Sequence, residues 1–151
     1  MAEFTYNPIQ TIEAGQNAIM NTSIPCNKGY VIHRNESGIV ILRGIVNNPQ
    51  ACYARYQVTA NGNIAVPTGG TAGPIAVSLA IDGEPLQTSR AIVTPTAVDA
   101  YFNVTSTAFI TVPRGCCFTI ALENTSPAAD ATTPAPAINL QNLNFVVSRV
   151  A

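Results

Sequence analysis

Thr107-Ala-Phe-Ile-Thr-Val-Pro-Arg-Gly-Cys-Cys-Phe-Thr-Ile-Ala-Leu-Glu123 reads as a strand, a turn and a second strand. Pro113-Arg-Gly115 interrupts the run with turn chemistry. Beyond it, Phe118, Ile120 and Leu122 alternate with Thr119, Ala121 and Glu123, the period of two expected of a half-buried strand. Before it, Ala108, Ile110 and Val112 share one parity and Phe109 takes the other. Either the core or the outer face of that strand must therefore hold an aromatic ring, and an intermolecular contact is one outlet for it. By the same parity Cys116 and Cys117 point to opposite faces.

The pattern repeats on both sides of this unit. In Cys52–Ala60 the residues Cys52, Ala54, Tyr56 and Val58 fall on one face, expected to be core, and Tyr53, Arg55, Gln57 and Thr59 on the other. Ile75–Ile81 is a strand closed by the hairpin turn Asp82-Gly83. Its Val77, Leu79 and Ile81 share a face, and the opposite face, Ala76, Ser78 and Ala80, is small and uncharged enough for a second surface to approach closely. Tyr30–His33 and Ile39–Arg43 are strands joined through Asn35-Glu-Ser-Gly38, where the glycine can supply a positive φ. Ile39-Val-Ile-Leu42 is apolar on both faces, as sheet packing plus a subunit contact would require. Pro67–Pro74 and Thr125–Pro136 are loops, and a last strand over about Asn139–Val150 groups Leu143, Phe145 and Val147. No segment sustains a capped helical repeat, so the chain is expected to be all-β, a single domain. Residues 1–15, with Phe4, Tyr6, Ile9 and Ile12 among polar neighbours, suit an extended arm laid against its own or another subunit, ahead of a domain over residues 16–151.

Only 10% of the 151 residues are charged, well below the roughly one quarter usual in soluble domains. Two explanations are open: a surface of Asn, Thr, Ser and Gln, or a surface largely covered in assembly. A net charge of −1 offers no basic field for a nucleic-acid partner. No basic stretch followed by an apolar segment opens the chain, and no apolar run of about 18 residues offers a membrane span.

Chemistry finds little support. Cys26, Cys52, Cys116 and Cys117 match no zinc spacing and are expected to be reduced. The single histidine, His33, would have to serve any Ser–His or Cys–His mechanism, and no G-x-S-x-G elbow accompanies it. Gly69-Gly70 lacks the Lys-Ser or Lys-Thr of a phosphate-binding loop. The N-x-[ST] triplets at Asn21, Asn35, Asn103 and Asn124 read as chance in an Asn- and Thr-rich chain. No catalytic residue, metal or cofactor is expected, and a small-molecule ligand is not.

Taken in order, Tyr53-Ala-Arg-Tyr56-Gln-Val, Val77-Ser-Leu-Ala-Ile-Asp-Gly-Glu-Pro-Leu86, Thr107–Gly115 and Cys117-Phe-Thr-Ile-Ala-Leu122 resemble the C1q/TNF-like jelly-roll superfamily. The resemblance spans about Ile39 to Leu122. The ending Leu143-Asn-Phe-Val-Val-Ser-Arg-Val-Ala151 departs from the aromatic closing strand of animal members and looks more like bacterial and bacteriophage ones, such as spore-surface glycoprotein heads and small phage virion proteins. It implies an antiparallel jelly-roll β-sandwich that forms homotrimers. No Gly-X-Y stalk precedes the head.

The expected function is therefore structural: a trimeric capsid decoration or cement protein of a bacteriophage, made in the bacterial host cytoplasm and seated on the virion surface. Its partners would be itself and the major capsid protein or other virion proteins. Expected trimer contacts are Tyr53, Tyr101 and Phe109, and expected arm contacts to the shell are Phe4, Tyr6 and Ile9. The alternative is a trimeric adhesin head that binds a receptor or glycan through the loops near Thr68–Gly73 and Thr125–Pro136, where a rigid β scaffold carries recognition.

Overall fold

A computed structural model describes residues 1–45 and 48–151. Its strands are β1 (Ala2–Tyr6), β2 (Gln10–Ile12), β3 (Asn21–Ile24), β4 (Val31–His33), β5 (Val40–Arg43), β6 (Tyr53–Ala65), β7 (Ile75–Ile81), β8 (Glu84–Pro85), β9 (Ala91–Val93), β10 (Phe102–Pro113), β11 (Cys117–Asn124) and β12 (Ile138–Arg149). A single 3-10 turn covers Gln87–Ser89. One sheet has the order β10-β6-β12-β1-β3, with β2 also on β12, and the other the order β4-β5-β11-β7-β8, with β9 also on β7. All pairings are antiparallel. The alternation read from the sequence sets the two inner faces: Tyr56, Val58, Ile110, Val112, Phe145 and Val147 from the first sheet meet Val40, Leu42, Leu79, Ile120 and Leu122 from the second in one core.

Asp82 and Gly83 both take positive φ, 51° and 85°, the geometry of a tight two-residue hairpin. In the turn before β5, by contrast, the positive φ of 63° belongs to Glu36 and not to Gly38. Gly38 is small for another reason: a Cβ there would sit 2.8 Å from the Ala18 carbonyl oxygen.

Two expectations left open are decided and one is corrected. First, residues 1–15 lie against their own chain, one of the two placements expected of the arm. β1 is an interior strand, with Ala2 opposite Val147 and Phe4 opposite Phe145 on one side and β3 on the other, and β2 continues the pairing along β12. Phe4, 1% exposed, has its ring 6.3 Å from that of Phe145 and 4.7 Å from that of His33. The polar alternation around Phe4 is that of a strand with one wet face, and its backbone groups are best satisfied between two neighbours. Second, the small face of β7 is covered by the chain itself, since Ala76, Ser78 and Ala80 are all buried. Arg90, beside β7 on one flank, reaches across to the Thr125 carbonyl on the other, with Nη2 2.8 Å from the oxygen. Third, Cys52 is exposed, because the strand begins only at Tyr53.

Candidate functional site

The outward face of the β10-β6-β12-β1-β3 sheet is built from the second parity class of its strands. β6 contributes Arg55, Gln57, Thr59 and Asn61; β10 contributes Asn103, Thr105, Thr107, Phe109 and Thr111; β12 contributes Asn144, Val146 and Ser148; β1 contributes Glu3 and Thr5. Glu3 and Arg55 are the charged side chains among them. Each has a partner on the same face: Asn144 Nδ2 donates to Glu3 Oε1 at 2.7 Å, and the Arg55 guanidinium lies over the Phe109 ring. Phe109 is nevertheless 56% exposed.

One end of this face is a connected amide network. Asn103 Nδ2 donates to Asn61 Oδ1 at 2.8 Å and to Asn63 Oδ1 at 3.2 Å. Asn142 Nδ2 donates to Asn7 Oδ1 at 2.8 Å, from a residue held at φ 55° where the register of β12 on β6 slips. The surface is polar there without being ionic, which was the first of the two explanations for the low charge. At the other end it is aromatic.

Of the expected contact residues, the sheet brings Tyr53 and Phe109 to one region: both face outward, Tyr53 opposite Pro113 and Phe109 opposite Gln57, and Tyr53 is 48% exposed. Tyr101 precedes β10 at its far end, roughly 26 Å from Phe109 along an extended strand. Phe4 is in the core and Tyr6, partly buried, packs against it; Ile9, 56% exposed, stays outside. Sequence reading missed the amide network, whose signal was the recurrence of Asn at one parity in β6, β10 and β12.

His33 is held from both sides. Its Nε2 lies 3.0 Å from the Ser37 carbonyl, which can only accept, so Nδ1 accepts from the Thr22 hydroxyl at 2.8 Å. One ring nitrogen thus ties β4 to β3 and the other ties it to the turn before β5. Asn124 is buried, donating from Nδ2 to the Ile12 and Pro136 carbonyls while Oδ1 accepts from Ser126, so the last of the four N-x-[ST] triplets is interior. No cluster of three or more His, Cys, Asp or Glu able to hold a metal occurs among the described residues.

Two concavities flank the sandwich. The larger, about 810 Å³, lies at the end where both chain termini emerge, lined by Met1, Ile24–Lys28, Tyr30 and Arg149–Ala151. There burial pushes the Cys26 thiol up, but backbone N–H groups of Lys28, Tyr30 and Val31, with the N-terminal ammonium, bring it below its ordinary value. The second, about 660 Å³, lies at the opposite end between the two long loops, lined by Val66, Pro67, residues 70–74, Pro127, Ala129 and residues 133–137. Asp130 shapes one of its walls: its Oδ1 accepts from the backbone N–H groups of Thr132 and Thr133, at 2.8 and 2.7 Å, and from the Thr132 hydroxyl.

No family model matches the sequence, and a search of curated proteins finds no match. Among solved structures, the Eiger TNF of S. frugiperda superposes at a TM-score of 0.65 with 12% identity, covering 99% of this chain and 91% of that one. The globular domain of zebrafish complement 1qA protein superposes at 0.50 with 8% identity, covering 96% and 94%. The fold is a jelly roll of the TNF and C1q kind. Here one sheet leaves the broad, nearly uncharged face just described, while the other covers part of its own exterior with Arg90.

Proposed function

We propose that this chain is a homotrimeric structural protein that decorates a bacteriophage shell, with the outward face of β10, β6, β12 and β1 as the subunit contact. The observation that carries the reading is the scarcity of charge on that face combined with a half-exposed Phe109. Strands of 12 and 13 residues make a face about 40 Å long and, at about 4.8 Å per strand, about 15–20 Å wide. That is on the order of 600–800 Å², one side of a standard interface. The TNF and C1q neighbours support the reading through the shared fold.

The mass in solution tests the assembly: light scattering at micromolar concentration is expected to give three times 15.8 kDa, and a monomer overturns it. Mass spectrometry and electron microscopy of purified particles test the location, with copies expected on the outside of the shell. Absence from the particle overturns the decoration role.

The cleft between the loops favours a second reading, a receptor-binding adhesin head, since those loops project together from the end of the sandwich opposite the termini. Loss of glycan or receptor binding on deleting residues 68–73 would support it, and binding indifferent to that deletion would remove it.

A further inference from the structure

β1 is woven into the sheet, so a surface of the folded body is the place to seek an attachment point. Resting on the reading of the chain as an attached structural head, we infer that the cleft between residues 66–74 and 127–137 is that point, and that it takes an uncharged, apolar polypeptide segment of the partner protein.

The lining decides the chemistry. No residue of it is ionisable, so a buried charge would find no counter-charge there. Thr71 and Thr133 are its only side-chain hydroxyls, and it holds no Asn, Gln, Ser or His. A sugar ring would bury several hydroxyls with too few partners, each costing free energy. What remains is an apolar occupant, and five wall residues narrow it further. None of Pro67, Pro74, Pro127, Pro134 and Pro136 has an N–H, and although the Pro67 and Pro136 carbonyls already accept from Gly70 and Asn124, the wall is poorer in donors than in acceptors. An extended peptide supplies what that wall lacks, backbone N–H donors alternating with apolar side chains. The prolines also fix the wall before binding, and the Asn124 bond to the Pro136 carbonyl and the Asp130 turn hold its far side, so little ordering entropy is lost on docking. A volume of about 660 Å³ falls in the range, about 300–1,000 Å³, that encloses a ligand of a few residues.

The test uses the intact chain as bait for a random twelve-residue peptide display library, followed by calorimetry of synthetic peptides from the selected clones. Expected are uncharged clones with aliphatic or aromatic anchors whose affinity falls tenfold or more in both Ala135→Asp and Thr71→Asp. Ala135 is half-buried and Thr71 exposed, so neither substitution enters the core, and thermal melting of each variant confirms that it folds. Clones indifferent to both substitutions, a charged consensus, or amide shifts in the cleft produced by a panel of methyl glycosides would overturn the inference. A monomeric protein that still binds such peptides at the cleft would sink the trimer and uphold this site, which separates the two failures.

Discussion

The Arg55 guanidinium sits over the Phe109 ring, Cζ 4.9 Å from its centroid, and the two side chains are diagonal neighbours on adjacent strands. A cation over a ring face is worth about 0.5–1 kcal/mol at an exposed site and more once dried. The cation that β6 sets on the outward face is thus matched to the most exposed aromatic there.

If that pair lies in a subunit contact, Phe109→Asp is expected to shift the protein from trimer to monomer at micromolar concentration in sedimentation velocity. Because Phe109 is 56% exposed, the melting temperature of the monomer itself should move little. An unchanged trimer would place the contact elsewhere.

Phe4→Ala is expected to cost about 3–5 kcal/mol in denaturant unfolding, the range for emptying a buried aromatic site. Deleting residues 1–6 removes an interior strand and is expected to abolish the cooperative transition. Unaltered stability after that deletion would show that β1 is dispensable to the sheet.

Tyr56 donates its hydroxyl to the Arg43 carbonyl from a fully buried site. Tyr56→Phe leaves that carbonyl unmet and is expected to cost about 1–3 kcal/mol. Burial pushes the Tyr56 hydroxyl up to about 12 from an ordinary 10. The proton is held more tightly in the folded state, so its contribution is complete below pH 10 and lost as pH rises through 12. Chemical unfolding across that window should show wild type losing stability relative to Tyr56→Phe.

Asn124→Ala strands the Ile12 and Pro136 carbonyls and the Ser126 hydroxyl. It is expected to cost about 2–3 kcal/mol and to loosen residues 133–137, read as faster amide exchange there. Asn124→Asp keeps Oδ1 but loses both donations, and should rescue little.

Asp130 is fully exposed, and its carboxyl is held at about 2, below the ordinary 3.8, chiefly by the hydroxyl and N–H of Thr132 and the N–H of Thr133. A depressed folded value means that the turn is fully supported above pH 3.8 and released as pH falls through 2. The Thr132 and Thr133 amide resonances should therefore stay fixed from pH 7 to pH 4 and move below that, while in Asp130→Ala they should already be displaced at pH 7.

Parity carried most of what was legible in the sequence. It put Tyr56 and Val58 inside and Tyr53 outside, because a sheet with one wet face leaves its period in the residues, and for Phe109 it left core and outer face open. It was silent on which chain covers a given face: the small side of β7 called for a covering surface, and nothing local said that Arg90, from the same chain, helps supply it. The N-terminal segment was left open for the same reason, since Phe4 and Tyr6 alternate identically whether they lie on their own sheet or another's. The cleft was half legible. Both loops announced themselves through proline and glycine, but their meeting depends on where β6 ends and β12 begins, a relation about 70 residues apart in sequence.

Because β12 lies between β6 and β1, the first sheet has a gap at its centre until β12 has been made. A nascent chain emerging from the ribosome at about 5–20 residues per second must hold β1 and β6 unjoined until β12 is synthesised, with Ala2 waiting for Val147. Such late, long-range closure predicts slow folding, with the edges of β1 and β6 left unpaired in the interval.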